Sequence, residues 1–195
     1  MISSQICTNK TDTELVALTL ENGDNYYCLM HRYEEKLLRY IRHLADLPLP
    51  DCQDILQDSF VKAYLNLNDF DSGLKFSSWI YRIVHNQTVN FLQKHHRRLS
   101  LNPSKDNTDF FEWIASDTNL EKEVIDSNFS QYIHTLLDKL DEKYKQVLVL
   151  KFIEGKDYQE ISDILQKPIG TIGTLVNRAK KQFRTIYDRH QPKNS

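Results

Sequence analysis

Apolar positions recur at helical spacing along most of the chain. Leu15, Val16 and Leu18, then Leu29, Tyr33, Leu37, Leu38 and Ile41, follow one another at intervals that line one helix face. They predict one or two helices over 12–44. Pro48 and Pro50 break the pattern. Asp51 is then a suitable N-cap for a helix to about Leu67, with Ile55, Leu56, Phe60 and Ala63 as its apolar stripe. The polar break 69–73 contains Gly73, and a further helix is predicted over about 75–98. Residues 99–128 carry Asn102, Pro103, Ser104, Asn107, Asp109 and Ser116 and little periodicity. They read as a linker, with a short helical piece at 110–115 or 121–125. A connection of that length argues for two domains. Beyond it, 129–140, 142–154, 157–166 and 171–188 read as four helices. No segment sustains an alternation of period two. The predicted class is all-α: two small helical domains, 8–99 and 129–190, joined by the linker 100–128.

Composition supports this reading. With only 5 Gly and 5 Pro in 195 residues, the chain lacks the turn residues of an all-β protein. No stretch free of Asp, Glu, Lys and Arg is longer than Ile83 to Gln93, too short and too polar to span a bilayer. The first twenty residues lack the basic start and apolar centre of a secretory signal. Cys7, Cys28 and Cys52 are far apart and have no zinc-type spacing. The expectation is a cytoplasmic protein with reduced thiols, no metal and no cofactor.

Charge changes the picture more. The net charge of −2 conceals blocks of opposite sign. Residues 72–100 hold five basic side chains and no acid, and 167–195 hold seven basic side chains against one acid. The linker block 101–130 is acidic, with seven acids and two bases. Local basic patches attract phosphates whatever the mean charge.

Each basic block coincides with a two-faced helix. In the first, Phe76, Ile80, Ile83, Val84 and Phe91 fall within an arc of about 100°, a core stripe. Trp79, Arg82, Asn86 and Asn90 occupy an adjacent arc of about 80°, and Lys94, Arg97 and Arg98 extend the basic character. An aromatic ring to stack on bases, amides for base edges and cations for phosphates suit a single or melted strand. The plainer alternative makes Trp79 core and Arg82 a surface residue. In the second block, Asp157 and Glu160 form a capping-box pattern opening a short helix with Ile161, Ile164 and Leu165. A tight turn, 166–170, leads to a helix with Ile172, Leu175, Val176, Ala179, Phe183 and Ile186 on one face. Thr174, Asn177, Arg178, Lys180, Lys181 and Arg184 cover the other. This is helix-turn-helix geometry suited to a major groove, and Gly170 and Thr171 stand where a helix start can hold a phosphate. The alternative is an ordinary α-hairpin with a solvated basic face.

A third cluster, Asp51, Asp54 and Asp58 with Gln57, lies on one helix face. No His, Cys or Gly-rich loop accompanies it, so an acidic docking face for a basic protein is a better reading than catalysis, with a plainly solvated face as the default alternative.

Asp51-Cys-Gln-Asp-Ile-Leu-Gln-Asp-Ser-Phe-Val-Lys-Ala-Tyr64, Phe70-Asp71 and Phe76-Ser-Ser-Trp-Ile-Tyr-Arg-Ile-Val-His-Asn86 together resemble the promoter-melting domain of sigma-70-type RNA polymerase sigma factors. Leu140-Asp-Glu-Lys-Tyr-Lys-Gln-Val-Leu-Val-Leu-Lys-Phe-Ile-Glu-Gly155, with Tyr158–Leu165, Pro168–Thr171 and Arg178–Lys181, resembles the C-terminal helix-turn-helix domain of that family. Two such domains and a linker look like the extracytoplasmic-function subfamily. The resemblance implies a non-enzymatic initiation factor with core RNA polymerase and promoter DNA as partners, and an anti-sigma inhibitor as a further one. It implies that Asp54, Gln57 and Asp58 meet the clamp helices of the largest polymerase subunit, and that the C-terminal domain meets the flap. It assigns the minus-ten element to the 66–77 loop with Phe76, Trp79, Arg82, Asn86, Asn90, Lys94 and Arg97. The minus-thirty-five duplex falls to Gly170, Thr171, Thr174, Asn177, Arg178 and Lys181. The chain has Gly173, Thr174 and Leu175 where the family often has Lys, Ser and Arg, which leaves fewer cations for base edges. Asp141 replaces a frequent Pro and can cap the next helix. The rival reading is a helix-turn-helix regulator that binds duplex DNA without polymerase, which leaves the Trp79 face without a role.

Overall fold

The computed structural model describes Cys7, residues 9–101 and residues 127–190, with side chains described for Cys7, 9–95 and 132–190. Residues 102–126, with most of the expected linker and its helical pieces, lie outside the described residues. All regular structure among the described residues is helical, with no strand among them. The described residues form two compact units, the first containing Cys7 and residues 9–101 and the second containing most of 127–190.

In the first unit, α1 (Asp12–Glu21) opens with a capping box. Thr11 Oγ1 accepts from the Glu14 N–H at 3.3 Å, and the Glu14 carboxylate accepts from the Thr11 N–H at 2.7 Å. A single 3-10 turn, Gly23–Asn25, leads into α2 (Tyr26–Leu44). The next helix, α3 (Leu49–Leu65), begins earlier than expected: Pro48 is its N-cap and Pro50 lies in the first turn. An N–H there would lack an intrahelical partner anyway, so proline starts the helix rather than breaking it. Asp51 consequently sits inside the first turn and is not the cap. A 3-10 turn, Leu67–Asp69, precedes α4 (Phe76–Leu101).

Helix α4 packs against both α2 and α3. Leu37, Tyr40 and Ile41 of α2, Ile55, Leu56 and Phe60 of α3, and Ile80, Tyr81 and Val84 of α4 form the core. The buried side of α4 is rotated from the expected stripe. Tyr81, His85 and Thr88 are buried, while Ile83 and Phe91 are half-exposed. Two of the polar groups that enter are satisfied: His85 Nδ1 lies 3.0 Å from the Tyr40 hydroxyl, and Thr88 donates to the Val84 carbonyl at 2.9 Å.

The expectation of reduced thiols fails. Cys7 and Cys28 are joined by a disulfide, and Cys52 is the free, buried cysteine. The pair is 21 residues apart in sequence. Arg32 brings its ends together by donating to the Cys7 and Lys10 carbonyls, each at 2.7 Å.

In the second unit, α5 (Ser127–Leu137) is followed by α6 (Glu142–Leu148), which continues as a π-helical turn, Val149–Ile153. Asp141 takes the N-cap position of α6, though its side chain makes no capping hydrogen bond. Gly155, at φ 66°, provides the left-handed step that turns the chain away. Then come α7 (Tyr158–Leu165) and α8 (Ile169–His190), which packs on α6 and α5. Leu136, Val147, Leu150, Ile161, Ile172 and Val176 are the centre of this core.

Candidate nucleic-acid interface

The helix-turn-helix is built as its sequence implies. Asp157 Oδ1 accepts from the Glu160 N–H at 2.7 Å, and Glu160 returns the bond to the Asp157 N–H at 3.0 Å. Gln166 ends α7 in the left-handed region at φ 53°. The turn is clamped from both sides, because Ser162 Oγ donates to the Lys167 carbonyl at 2.6 Å and the Lys167 N–H donates to the Ser162 carbonyl at 3.2 Å. Helix α8 then buries Ile172, Val176 and Ala179. Gly170, Thr171, Thr174, Asn177, Arg178 and Lys181 are all exposed. Helix α8 begins at Ile169, so Gly170 and Thr171 lie in its first turn rather than before it. Thr174 donates its hydroxyl to the Gly170 carbonyl at 3.0 Å, which leaves its oxygen as an acceptor. The acid on α8, Asp188, faces Arg184 at 4.0 Å, near the far end of the helix.

The α4 face is only partly as expected. Arg82 is half-buried, and Asn86, Asn90 and Lys94 are exposed. The Arg97 side chain lies outside the described residues. Phe76 and Trp79 are core, at 3% and 6% exposure, as the core stripe placed Phe76 and the plainer alternative placed Trp79, which corrects the strand-facing position that the resemblance implies for them. The cause is the loop ahead of the helix. Asp71 Oδ1 accepts from the Gly73 N–H at 2.8 Å, and the Leu74 N–H bonds to the Asp71 carbonyl at 3.0 Å. This turn folds Phe70 back, with its ring 5.4 Å from Trp79 and 5.5 Å from Phe76, both edge-on. Tyr33 of α2 closes the cluster against Phe76 at 5.6 Å. A polar strip of Arg82, Asn86, Asn90 and Gln93 remains accessible, about 80° wide at 100° per residue. No acidic residue occurs between Ser72 and Leu101 to oppose a phosphate backbone.

Asp54, Gln57 and Asp58 are exposed on α3. Beside them is an open apolar groove of about 360 Å³, lined in part by Tyr27, Met30, Gln57, Val61, Tyr64 and Leu65. The apolar stripe of α3 accounts for its buried side. Val61, Tyr64 and Leu65 fall outside that stripe, and they are the sequence signal for a second apolar surface. A comparable groove of about 300 Å³ in the second unit is lined by Ile133, Leu137, Leu148, Phe152, Ile153, Lys180 and Phe183. The π-helical turn swings Phe152 outward to 59% exposure, with the Lys180 ammonium 5.7 Å from its ring.

Two family models match the chain: sigma-70 region 2 over residues 29–98, and sigma-70 region 4 over residues 130–183. An ECF RNA polymerase sigma factor of Bacillus subtilis, SigW, is 34% identical over 138 residues, covering 69% of this chain and 74% of that protein. An ECF RNA polymerase sigma-E factor of Haemophilus influenzae is 29% identical over 183 residues, covering 89% of this chain and 93% of its own length. Among solved structures, CnrH in complex with the cytosolic domain of CnrY superposes with a TM-score of 0.69 at 22% identity, covering 92% of this chain and 99% of that one. The sigma factor RpoE bound to the anti-sigma factor NepR, from Bartonella quintana, also gives 0.69, at 17% identity, covering 86% and 99%.

Proposed function

Because this chain belongs to the extracytoplasmic-function sigma factors of the sigma-70 family, we propose that its two basic helix faces divide promoter recognition between them. The factor binds core RNA polymerase, directs it to a promoter and helps open the duplex. It supplies recognition, and the polymerase supplies the chemistry. The acid-free strip of α4 takes the melted minus-ten strand, through Arg82, Asn86, Asn90 and Lys94. Phe76 and Trp79 act from beneath, holding the 66–75 loop in shape. Helix α8 enters the minus-thirty-five major groove. With Gly173 and Leu175 in place of cations, its contact rests on Arg178, Lys181 and the Gly170–Thr171 helix start, which favours phosphates and duplex shape over base edges. Asp54, Gln57 and Asp58 dock on the polymerase largest subunit, where charge steers the encounter. The exposed apolar grooves beside α3 and against Phe152 suit protein partners, core polymerase in one state and an anti-sigma inhibitor in another. The domains run 8–99 and 129–190, with the acidic 100–128 segment between them.

The observation that carries this reading is the coexistence, in one chain, of a clamped helix-turn-helix with an exposed cationic face and a second, acid-free polar strip on α4. An initiation assay with purified core polymerase tests it. Transcripts should start from selected sites. Promoters chosen no better than random DNA would overturn the proposal.

A further inference from the structure

The Cys7–Cys28 bond is out of place in a protein that works on chromosomal DNA, where thiols are kept reduced and disulfides, when they occur, are usually transient or sensory. We propose that Cys7 and Cys28 are a redox-active pair, closed by a small-molecule disulfide and reopened by the matching thiol, whose closure clasps the N-terminal segment onto α2. The inference rests on the functional reading above only for its compartment.

The geometry favours reversible closure. The two Cα atoms are 4.9 Å apart, within bridging range. Cys28 is 1% exposed on α2, while Cys7 is only half-buried, so a reagent can enter at the Cys7 end. Arg32 holds the same end, donating to the Cys7 and Lys10 carbonyls and pairing with Asp12 at 2.6 Å. Closure therefore adds a covalent tie at a place where hydrogen bonds also gather the chain. The third cysteine does not compete. Cys52 is fully buried, its S–H points to the Leu47 carbonyl at 3.6 Å, and burial pushes its thiol up to about 11.

The chemistry is thiol–disulfide exchange. The Cys7 thiolate attacks one sulfur of the small disulfide and expels one thiolate. The Cys28 thiolate then attacks the Cys7 sulfur of the mixed disulfide and expels the second. Two protein thiols are oxidised, one small disulfide is reduced to two thiols, and the two protein protons end on those thiols.

The clasp bears on the site through a short series of contacts. Asp12, tied to Arg32, also accepts the Tyr33 hydroxyl. The Tyr33 ring packs on Phe76, and Phe76 packs on Trp79 at 5.5 Å. The redox pair is thus linked to the aromatic support of the α4 strip through Arg32, Asp12 and Tyr33.

The test equilibrates the full-length protein in glutathione buffers of graded thiol-to-disulfide ratio, traps free thiols by alkylation and maps them by mass. Cys7 and Cys28 should become protected together and reversibly, with Cys52 unchanged. The oxidised form should melt several degrees above the reduced form, and Cys7→Ser, at the less buried end, should erase that difference. In a Trp113→Phe background, Trp79 emission should differ between the two forms. A pair that never closes at any ratio, one that resists excess reduced glutathione, or one that closes without altering Trp79 emission would each overturn the proposal. A protein that still initiates transcription after such a failure would lose only the redox pair, not its function as a sigma factor.

Discussion

Trp79 shares its azimuth on α4 with Asn86 and Asn90, yet only the asparagines reach solvent. Periodicity assigns a direction from the helix axis and nothing more. What covers that direction depends on the loop before the helix, and the Asp71 turn that returns Phe70 over the indole leaves no mark at helical spacing. The asparagines, about two and three turns further on, lie beyond the loop's reach. The two residue types should therefore separate experimentally. Trp79→Ala removes a buried aromatic and should cost about 3–5 kcal/mol, lowering the melting temperature and weakening polymerase binding and duplex opening together. Asn86→Ala should leave stability within about 0.5 kcal/mol and slow opening alone. Calorimetry, paired with permanganate reactivity of unpaired promoter thymines, reads both. A Trp79→Ala protein of unchanged stability would return the ring to the strand-binding face.

Helix type is the easiest feature to read in the chain, and helix detail the hardest. The two faces of α8 are legible because Ile172, Val176 and Ala179 repeat at intervals of three and four, and the opposite side is uniformly polar. The start of α3 is not legible, because proline both breaks helices and begins them, and only the tertiary context chooses. The π-helical turn at Val149–Ile153 has no composition of its own, so the exposure of Phe152 and the groove beside it leave no sequence signal either. Two expectations belong to α8. A Cβ at Gly173 would meet nothing within 4 Å, so Gly173→Ala should stabilise the helix by about 0.5–1 kcal/mol without repacking. A decrease in stability would mean that the glycine is there for close approach. Arg178 is exposed, and Arg178→Ala should weaken promoter binding and reduce the slope of log affinity against log salt by about 1. An unaltered slope would exclude a phosphate contact.

For the molecule as a whole, segregation of charge is more informative than its total, because phosphates respond to local potential. The block pattern locates both basic faces from sequence alone. It cannot locate the disulfide, since Cys7 and Cys28 are 21 residues apart and meet through tertiary structure, nor the grooves, which need two elements each to exist. Each unit has its own buried centre, one around Tyr40, Leu56 and Tyr81, the other around Leu150, Ile161 and Ile172. Cooperativity in unfolding tracks shared burial, so a chain with two such centres should not melt as one two-state system. Calorimetry should resolve two transitions. Trp79→Ala should lower only the transition of the first unit, and Gly173→Ala should raise only that of the second, with the effects additive in the double variant. If both substitutions moved a single common transition, the two centres would be energetically one. The division of labour between the two DNA-facing helices would then have to operate within one rigid body rather than between independent modules.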